Sequence, residues 1–199
     1  MKKEQRQRIV DRHRDSLKRH GYHPNALYWS SIEIQQLRFK ILAAVGMKEA
    51  DSLLDVGCGF ADFKSWLEGE GTAVKYTGVD LSPDLLRVAQ QKHPDAALLC
   101  GELLDFSFAA NAFDWVALSG AMNEQLHDDG DYARKMIAQM YHISRKGIAF
   151  NMLDGRTINA HDLQSVEPHK MLKYCQTLCK NAALLDAYLA NDFTIYMQK

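Results

Sequence analysis

The sequence predicts an α/β protein: a doubly wound, mostly parallel sheet, closed by a C-terminal antiparallel hairpin strand and preceded by helices. Three observations carry this. From residue 52 onward, short apolar runs alternate with helical segments. The runs are rich in Val, Leu and Ala without strict alternation, as parallel strands covered on both faces require. A length of 199 residues suits one domain with a core of its own.

The first twenty residues, MKKEQRQRIVDRHRDSLKRH, are helix-compatible, but Ile9, Val10 and Leu17 are their only large apolar positions. They hold eight Lys/Arg against three Asp/Glu, within a chain of net charge -1. The remainder is therefore acidic by about six charges. Two readings of this arm stay open: a solvated or frayed helix, and a basic surface for nucleic acid or another polyanion. Gly21, Pro24 and Asn25 then mark a turn. Ser30 and Glu33 form a capping-box pattern ahead of Ile34, Leu37, Ile41, Leu42 and Val45 at helical spacing, with Gly46 as a stop.

Strands are expected at 52–57, 74–81, 96–100, 114–119 and 147–153, with helices at 61–70, 83–93 and 129–143 between them. Ser82 and Pro83 supply an N-cap and a first-turn proline for the second of these helices. Pro168 opens a further helix through Lys180. ALLDAYLA and FTIYMQ follow, joined at Asn191-Asp192, a reasonable hairpin link. Residues 1–50 are expected to form a helical lid or arm, and 51–199 the α/β domain, in one compact unit.

At 47% hydrophobic and 25% charged, the composition is that of a folded globular chain. No run approaches the roughly 20 apolar residues of a membrane span, and the polar, basic start is not a signal peptide. Four scattered cysteines (Cys58, Cys100, Cys175, Cys179) fit a reducing, cytoplasmic setting. Cys175 and Cys179 share a helix face without a neighbouring histidine, so they are expected to pack and no metal is expected.

The informative segment is Asp55-Val56-Gly57-Cys58-Gly59-Phe60-Ala61-Asp62, which follows a strand and opens a helix. Glycines there permit φ > 0 and a close approach of ligand to backbone. About twenty residues later Gly78-Val79-Asp80 ends the next strand, where a carboxylate can bind both ribose hydroxyls of a nucleoside. A dinucleotide fingerprint needs glycine at position 62; Asp62 would instead face a pyrophosphate with the wrong sign of charge. Asp55, two residues before Gly57, favours a cationic group. A ligand with a ribose, an ammonium and a sulfonium fits better than one with two phosphates.

LLDVGCGFADF, YTGVDLSPDLL, GELLDF and FDWVALSG resemble the successive cofactor motifs of class I S-adenosylmethionine-dependent methyltransferases, over roughly residues 50–153. The resemblance implies a Rossmann-like fold with a reversed last strand, and S-adenosylmethionine as cofactor with S-adenosylhomocysteine as product. It implies that Asp55, Gly57, Cys58 and Gly59 line the amino-acid end of the cofactor and that Asp80 holds the ribose. Leu81, Glu102 and Leu103 would surround the adenine, and Ser119 and Gly120 would lie near the sulfonium. Ala61 replaces the commonest third glycine, which is tolerable if the residue has φ < 0 at the helix start. Trp29-Ser-Ser, Gln35-x-x-Arg38-Phe39, Ser119-Gly-x-x-Asn123 and Phe150-Asn151 are similar to a bacterial branch of that family.

Methyl transfer from a sulfonium needs alignment and exclusion of water more than a fixed set of catalytic groups, and a base only when the acceptor keeps its proton. After strand four the chain lacks the Asn/Asp-Pro-Pro turn of amine-methylating base enzymes, and no proline precedes a cysteine. Nucleobase chemistry is disfavoured. Asn123, Glu124 and His127 are candidate catalytic residues, His127 as a base by its intrinsic pKa. Asn151 is a further polar candidate or a turn residue. Tyr28, Trp29 and Arg38 would come from the N-terminal helices, and the Arg38 fork could pair with the cofactor carboxylate or merely be solvated. A small-molecule acceptor is expected. The alternatives are an RNA or protein acceptor guided by residues 1–20, a non-catalytic cofactor-binding protein, and, disfavoured by Asp62, a nicotinamide enzyme.

Overall fold

A single eight-stranded sheet organises the chain, in the order β3-β2-β1-β4-β5-β8-β7 with β6 beside the end of β5. The computed structural model describes residues 1–158 and 162–199. The strands are β1 (Ser52–Val56), β2 (Lys75–Asp80), β3 (Ala97–Cys100), β4 (Phe113–Ser119), β5 (Ser144–Asp154), β6 (Ser165–Val166), β7 (Ala183–Leu185) and β8 (Asp192–Gln198). The helices are α1 (Lys3–His20), α2 (Ile32–Ala43), α3 (Asp62–Gly69), α4 (Pro83–Lys92), α5 (Asp131–Ile143) and α6 (Pro168–Leu178). β1 to β5 run parallel, and β8 pairs antiparallel with both β5 and β7. This is the doubly wound, mostly parallel sheet that the apolar runs foretold, with the Rossmann-like architecture that the resemblance implies.

The pleat separates two cores. Leu54, Val56, Val116, Leu118 and Phe150 face one side, against Met136, Ile137 and Met140 of α5 and Cys175 of α6. Leu53, Trp115 and Ala117 face the other, against Phe39 and Leu42 of α2, Phe63 and Leu67 of α3, and Ala89 of α4. Adjacent residues such as Leu53 and Leu54 therefore serve opposite cores, which is why these strands read as continuous apolar runs. Cys175 and Cys179 are both buried, as packing cysteines are.

Four local expectations are corrected. The N-cap of α2 is Ser31, whose Oγ accepts the Ile34 N–H at 3.3 Å; Ser30 lies one residue too early for the extended cap geometry. That helix stops at Ala43, before Gly46. The hairpin link is not the Asn191-Asp192 pair: β7 ends at Leu185, and Asp192 already belongs to β8, fully buried. Tyr188 fills the connection by donating to Asp192 Oδ2 at 3.0 Å. Ala61 has φ 59°, not the negative value of a helix start. Its N–H reaches the Cys58 carbonyl at 2.8 Å, so the turn places Ala61 before the helix, in the left-handed region.

α1 is a full helix that packs back on the domain. Gly21, at φ 62°, closes it by donating to the Leu17 carbonyl at 2.8 Å. Three of its five arginines pair with carboxylates of the α/β body. Arg6 pairs with Glu102 and, at 2.7 Å, with Asp105; Arg12 pairs with Glu124 at 2.6 Å and Arg14 with Asp84 at 3.0 Å. Arg8 donates to the Gln125 carbonyl at 3.0 Å. The picture of a solvated or frayed arm is therefore replaced by a strap across the loops after β2, β3 and β4.

Candidate active site

A cavity of about 380 Å³ opens at the carboxyl ends of β1, β2, β3 and β4 and is roofed by α1, the turn at Pro24–Leu27 and α2. Open α/β sheets offer their ligand crevice there, because the connections diverge to either face. The wall is mostly what the sequence motifs indicate: Asp55, Gly57, Cys58, Gly59, Asp80, Leu81, Glu102, Leu103, Ser119, Gly120, Arg38, Asn123 and Glu124 all line it.

The glycine loop hooks onto β2, with the Gly57 and Cys58 N–H groups donating to the Val79 carbonyl at 2.8 and 3.1 Å. At φ 74°, a Cβ on Gly57 would stand 2.3 Å from the Ala121 Cβ; on Gly59 it would stand 2.9 Å from Leu27 Cδ1. The glycines thus let two protein walls close in, one from the loop after β4 and one from the roof. Asp80 fixes the same loop: Oδ2 accepts the Gly59 N–H at 2.9 Å and Oδ1 the Ser82 N–H at 2.8 Å.

Asp55 is buried and accepts the Tyr76 hydroxyl at 2.6 Å. Burial pushes its carboxyl up to about 7 against the opposing pull of the Tyr76 donor, with the charges of Asp80 and Asp62 adding to the rise. Asp62 stands under three donors: Tyr22 Oη at 2.7 Å, Lys92 Nζ at 2.8 Å and Gln35 Nε2 at 3.2 Å. Glu102 meets Arg6 through Oε1, while its buried Oε2 has no partner among the described residues.

Arg38 lies 8% exposed, with its guanidinium 5.0 Å from the Trp29 ring centre and Nε 2.5 Å from Asp192 Oδ2. The latter is a charge contact rather than an aligned hydrogen bond, since Nε and Asp192 Oδ1 lack partners among the described residues. Burial pushes Asp192 up to about 6 despite Arg38. A Cβ on Gly120 would stand 3.5 Å from both Arg38 Nη1 and Asn123 Nδ2, so two donors flank this glycine. The Gly120 N–H donates at 3.0 Å to Asn151 Oδ1, and Asn151 is fully buried; it acts as a buckle for the loop. Asn123 receives the Gln164 N–H on its carbonyl at 2.8 Å, and its buried Oδ1 has no partner among the described residues.

His127 is not brought to the wall. It is exposed, at φ 52°, and its N–H is turned to Gln125 Oε1 at 3.0 Å, because the loop before α5 leaves the cavity at that point. The histidine that does line the cavity is His13 of α1. Its Nδ1 lies 3.0 Å from the Ile9 carbonyl, which can only accept, so Nδ1 is the donor there and Nε2 is the ring nitrogen left to the cavity side. Tyr28, Trp29, Tyr132, Met136, Leu153 and Leu163 also line the wall. Only the i, i+4 spacing of Ile9 and His13 on a sparsely apolar helix could have signalled His13 in the sequence.

The donor set suits a nucleoside with a cationic amino-acid tail. Carboxylates stand at both ends of the cavity, Glu102 retains a free acceptor, and Arg38 is the guanidinium beside the loop after β4. Among the described residues no cluster of His, Cys, Asp and Glu has metal-binding geometry, and no helix is long and apolar enough to cross a membrane.

Comparison with known proteins agrees with this chemistry. Residues 53–147 match the family model described as a methyltransferase domain. A candidate methyltransferase of Mycobacterium tuberculosis is 28% identical over 159 residues, which is 74% of this chain and 93% of that protein. The fold resembles a SAM-dependent methyltransferase from Archaeoglobus fulgidus at a TM-score of 0.66 and 14% identity, covering 84% of this chain and 94% of the other. Phosphoethanolamine N-methyltransferase 2 of Haemonchus contortus, solved with S-adenosyl-L-methionine, aligns at a TM-score of 0.68 and 13% identity over 94% of this chain and 60% of its own.

Proposed function

We propose that the chain is an S-adenosylmethionine-dependent methyltransferase that transfers the methyl group in line to a small molecule enclosed beside the loop after β4. The observation that carries the proposal is the roof: α1 crosses the cavity and spends three of its five arginines, Arg6, Arg12 and Arg14, on Glu102, Asp105, Glu124 and Asp84. A basic guide for RNA would leave those charges outward. In this reading residues 1–50 are the lid and 51–199 the catalytic body.

When bound, the cofactor supplies a methyl group on a cationic sulfur that departs as a neutral thioether. The chain's residues hold and orient it. Asp80 accepts the ribose hydroxyls with the lone pairs its two backbone donors leave free. Glu102 Oε2 accepts the adenine amine, between Leu81 and Leu103. Asp55 faces the ammonium beside Gly57, Cys58 and Gly59, and Arg38 faces the carboxylate. Ser119 and Gly120 border the sulfur, which places Asn123 and Glu124 toward the acceptor. His13 Nε2 is a lone pair able to take a proton from a protic acceptor; His127 is assigned no part. Alignment and water exclusion by the lid then supply most of the acceleration.

Calorimetry should show binding of both S-adenosylmethionine and S-adenosylhomocysteine; no binding by either at millimolar concentration would sink the cofactor assignments. Labelled methyl offered with a cell extract should appear in the dialysable fraction. Label confined to retained RNA or protein would overturn the small-molecule reading.

A further inference from the structure

Tyr76 lies two strand positions before Gly78, the partner of Asp55 in the β1–β2 register. Gly78 has no side chain, and Cys58 Sγ and Leu98 Cδ2 close over it; the Tyr76 hydroxyl, on the same strand, donates to Asp55 Oδ2 at 2.6 Å. Both residues are buried, Tyr76 at 6% and Asp55 at 4% exposed. Such a length is that of a short hydrogen bond from a hydroxyl to a carboxyl oxygen. Tyr76 does not line the cavity, whereas Asp55 does.

We infer that Tyr76 is a positioning residue for cofactor binding: its hydroxyl favours the ionised form of Asp55 and occupies Oδ2, leaving Oδ1 for the cofactor's ammonium. The inference rests on the proposed role of Asp55. Its need is visible in the surroundings. Asp80 at the end of β2, Asp62 at the start of α3 and the Cys58 thiol of the glycine loop all act on Asp55 or Tyr76, and none brings positive charge. Of the charged groups that α1, α2 and the loop after β4 present to the cavity, Arg12 and Glu124 pair with each other and Arg38 pairs with Asp192. Within the apo site the Tyr76 hydroxyl is thus the donor that favours the charged form of a carboxyl that burial drives up to about 7.

The test is S-adenosylmethionine affinity by calorimetry on the full chain, wild type against Tyr76→Phe, from about pH 6 to about pH 9. Losing the donor raises the proton affinity of Asp55, so the variant should bind about tenfold weaker near pH 6, the change for one unit of pKa, and match wild type at the alkaline end. Titration of the cofactor's own amine cancels in the ratio. Equal affinity throughout, or a deficit of constant size at every pH, overturns the inference; the latter is what a merely structural tyrosine would give. Asp55→Asn separates the two levels: if it binds with the wild-type affinity and profile, the Asp55 assignment itself fails. Should Tyr76→Phe not fold, proton release by wild type on binding at about pH 6, read from buffers of differing ionisation enthalpy, remains decisive. No release overturns the inference.

Discussion

Asp80 ties the glycine loop to the end of β2, and in the proposed function it also holds the ribose. Its two oxygens already accept from Gly59 and Ser82. Asp80→Ala should weaken cofactor binding by about 1–3 kcal/mol in calorimetry, the scale of lost charged hydrogen bonds. Asp80→Asn, which keeps one acceptor for the loop, should lose less; equal losses would mean that the loop tether has no part in binding. Gly57 makes a steric counterpart. A methyl there meets Ala121 Cβ at 2.3 Å, in a backbone region that already disfavours alanine. Gly57→Ala should therefore lower the melting temperature and abolish S-adenosylhomocysteine binding, whereas retained binding would mean that the loop after β4 can retreat at little cost. The sequence marks both residues through motif and strand context, but not why the glycines are needed. Their neighbours, Ala121 and Leu27, are distant in the chain, and only folding brings them together.

Among elements, α1 is the one the sequence described least. Its composition says soluble and basic; its fate is to clamp three loops. Exposed ion pairs each contribute about 0.2–1 kcal/mol and are weakened by salt. Three of them hold the roof on by roughly 1–2 kcal/mol. Stopped-flow release of S-adenosylhomocysteine should accordingly speed up several-fold on raising the salt from low to high, and the Arg12→Ala variant should be fast already at low salt. Release that ignores both would mean that the ligand escapes without α1 moving. The strands and α3 to α6 were legible because burial imposes a period on their residues. α1 was not, since polar contacts leave no period behind. The link between β7 and β8 misled for a related reason: Asn191-Asp192 has turn composition, yet Asp192 is drawn into the strand by Arg38 and Tyr188.

At the scale of the whole molecule, the net charge of -1 conceals a basic lid bound to an acidic body. Two buried carboxyls then set a pH signature. Asp192 is pushed up to about 6 and Asp55 up to about 7, both by burial. The folded state holds these protons where the unfolded chain has released them, so both contributions are greatest below the unfolded carboxyl range. They are lost as pH rises toward 6 and 7. Replacing Asp55 by Asn should therefore stabilise the apoprotein at pH 8 by about 1–3 kcal/mol, with a smaller gain at pH 5, while cofactor binding falls. Melting curves of both proteins across that range check it; a gain independent of pH would show that Asp55 is not protonated in the fold.

By itself, the sequence determined the alternation of strands and helices, the direction of the sheet, and the acids and glycines at the strand ends. These are local properties: a buried strand, a tight turn and a helix cap each constrain residues near one another in the chain. The tertiary structure decided what faces those residues. It set Tyr76 against Asp55, Asp192 against Arg38 and the arginines of α1 against three separate loops, and it turned His127 outward while bringing His13 in. Such pairings join side chains from separate elements, so no local rule of composition or spacing encodes them.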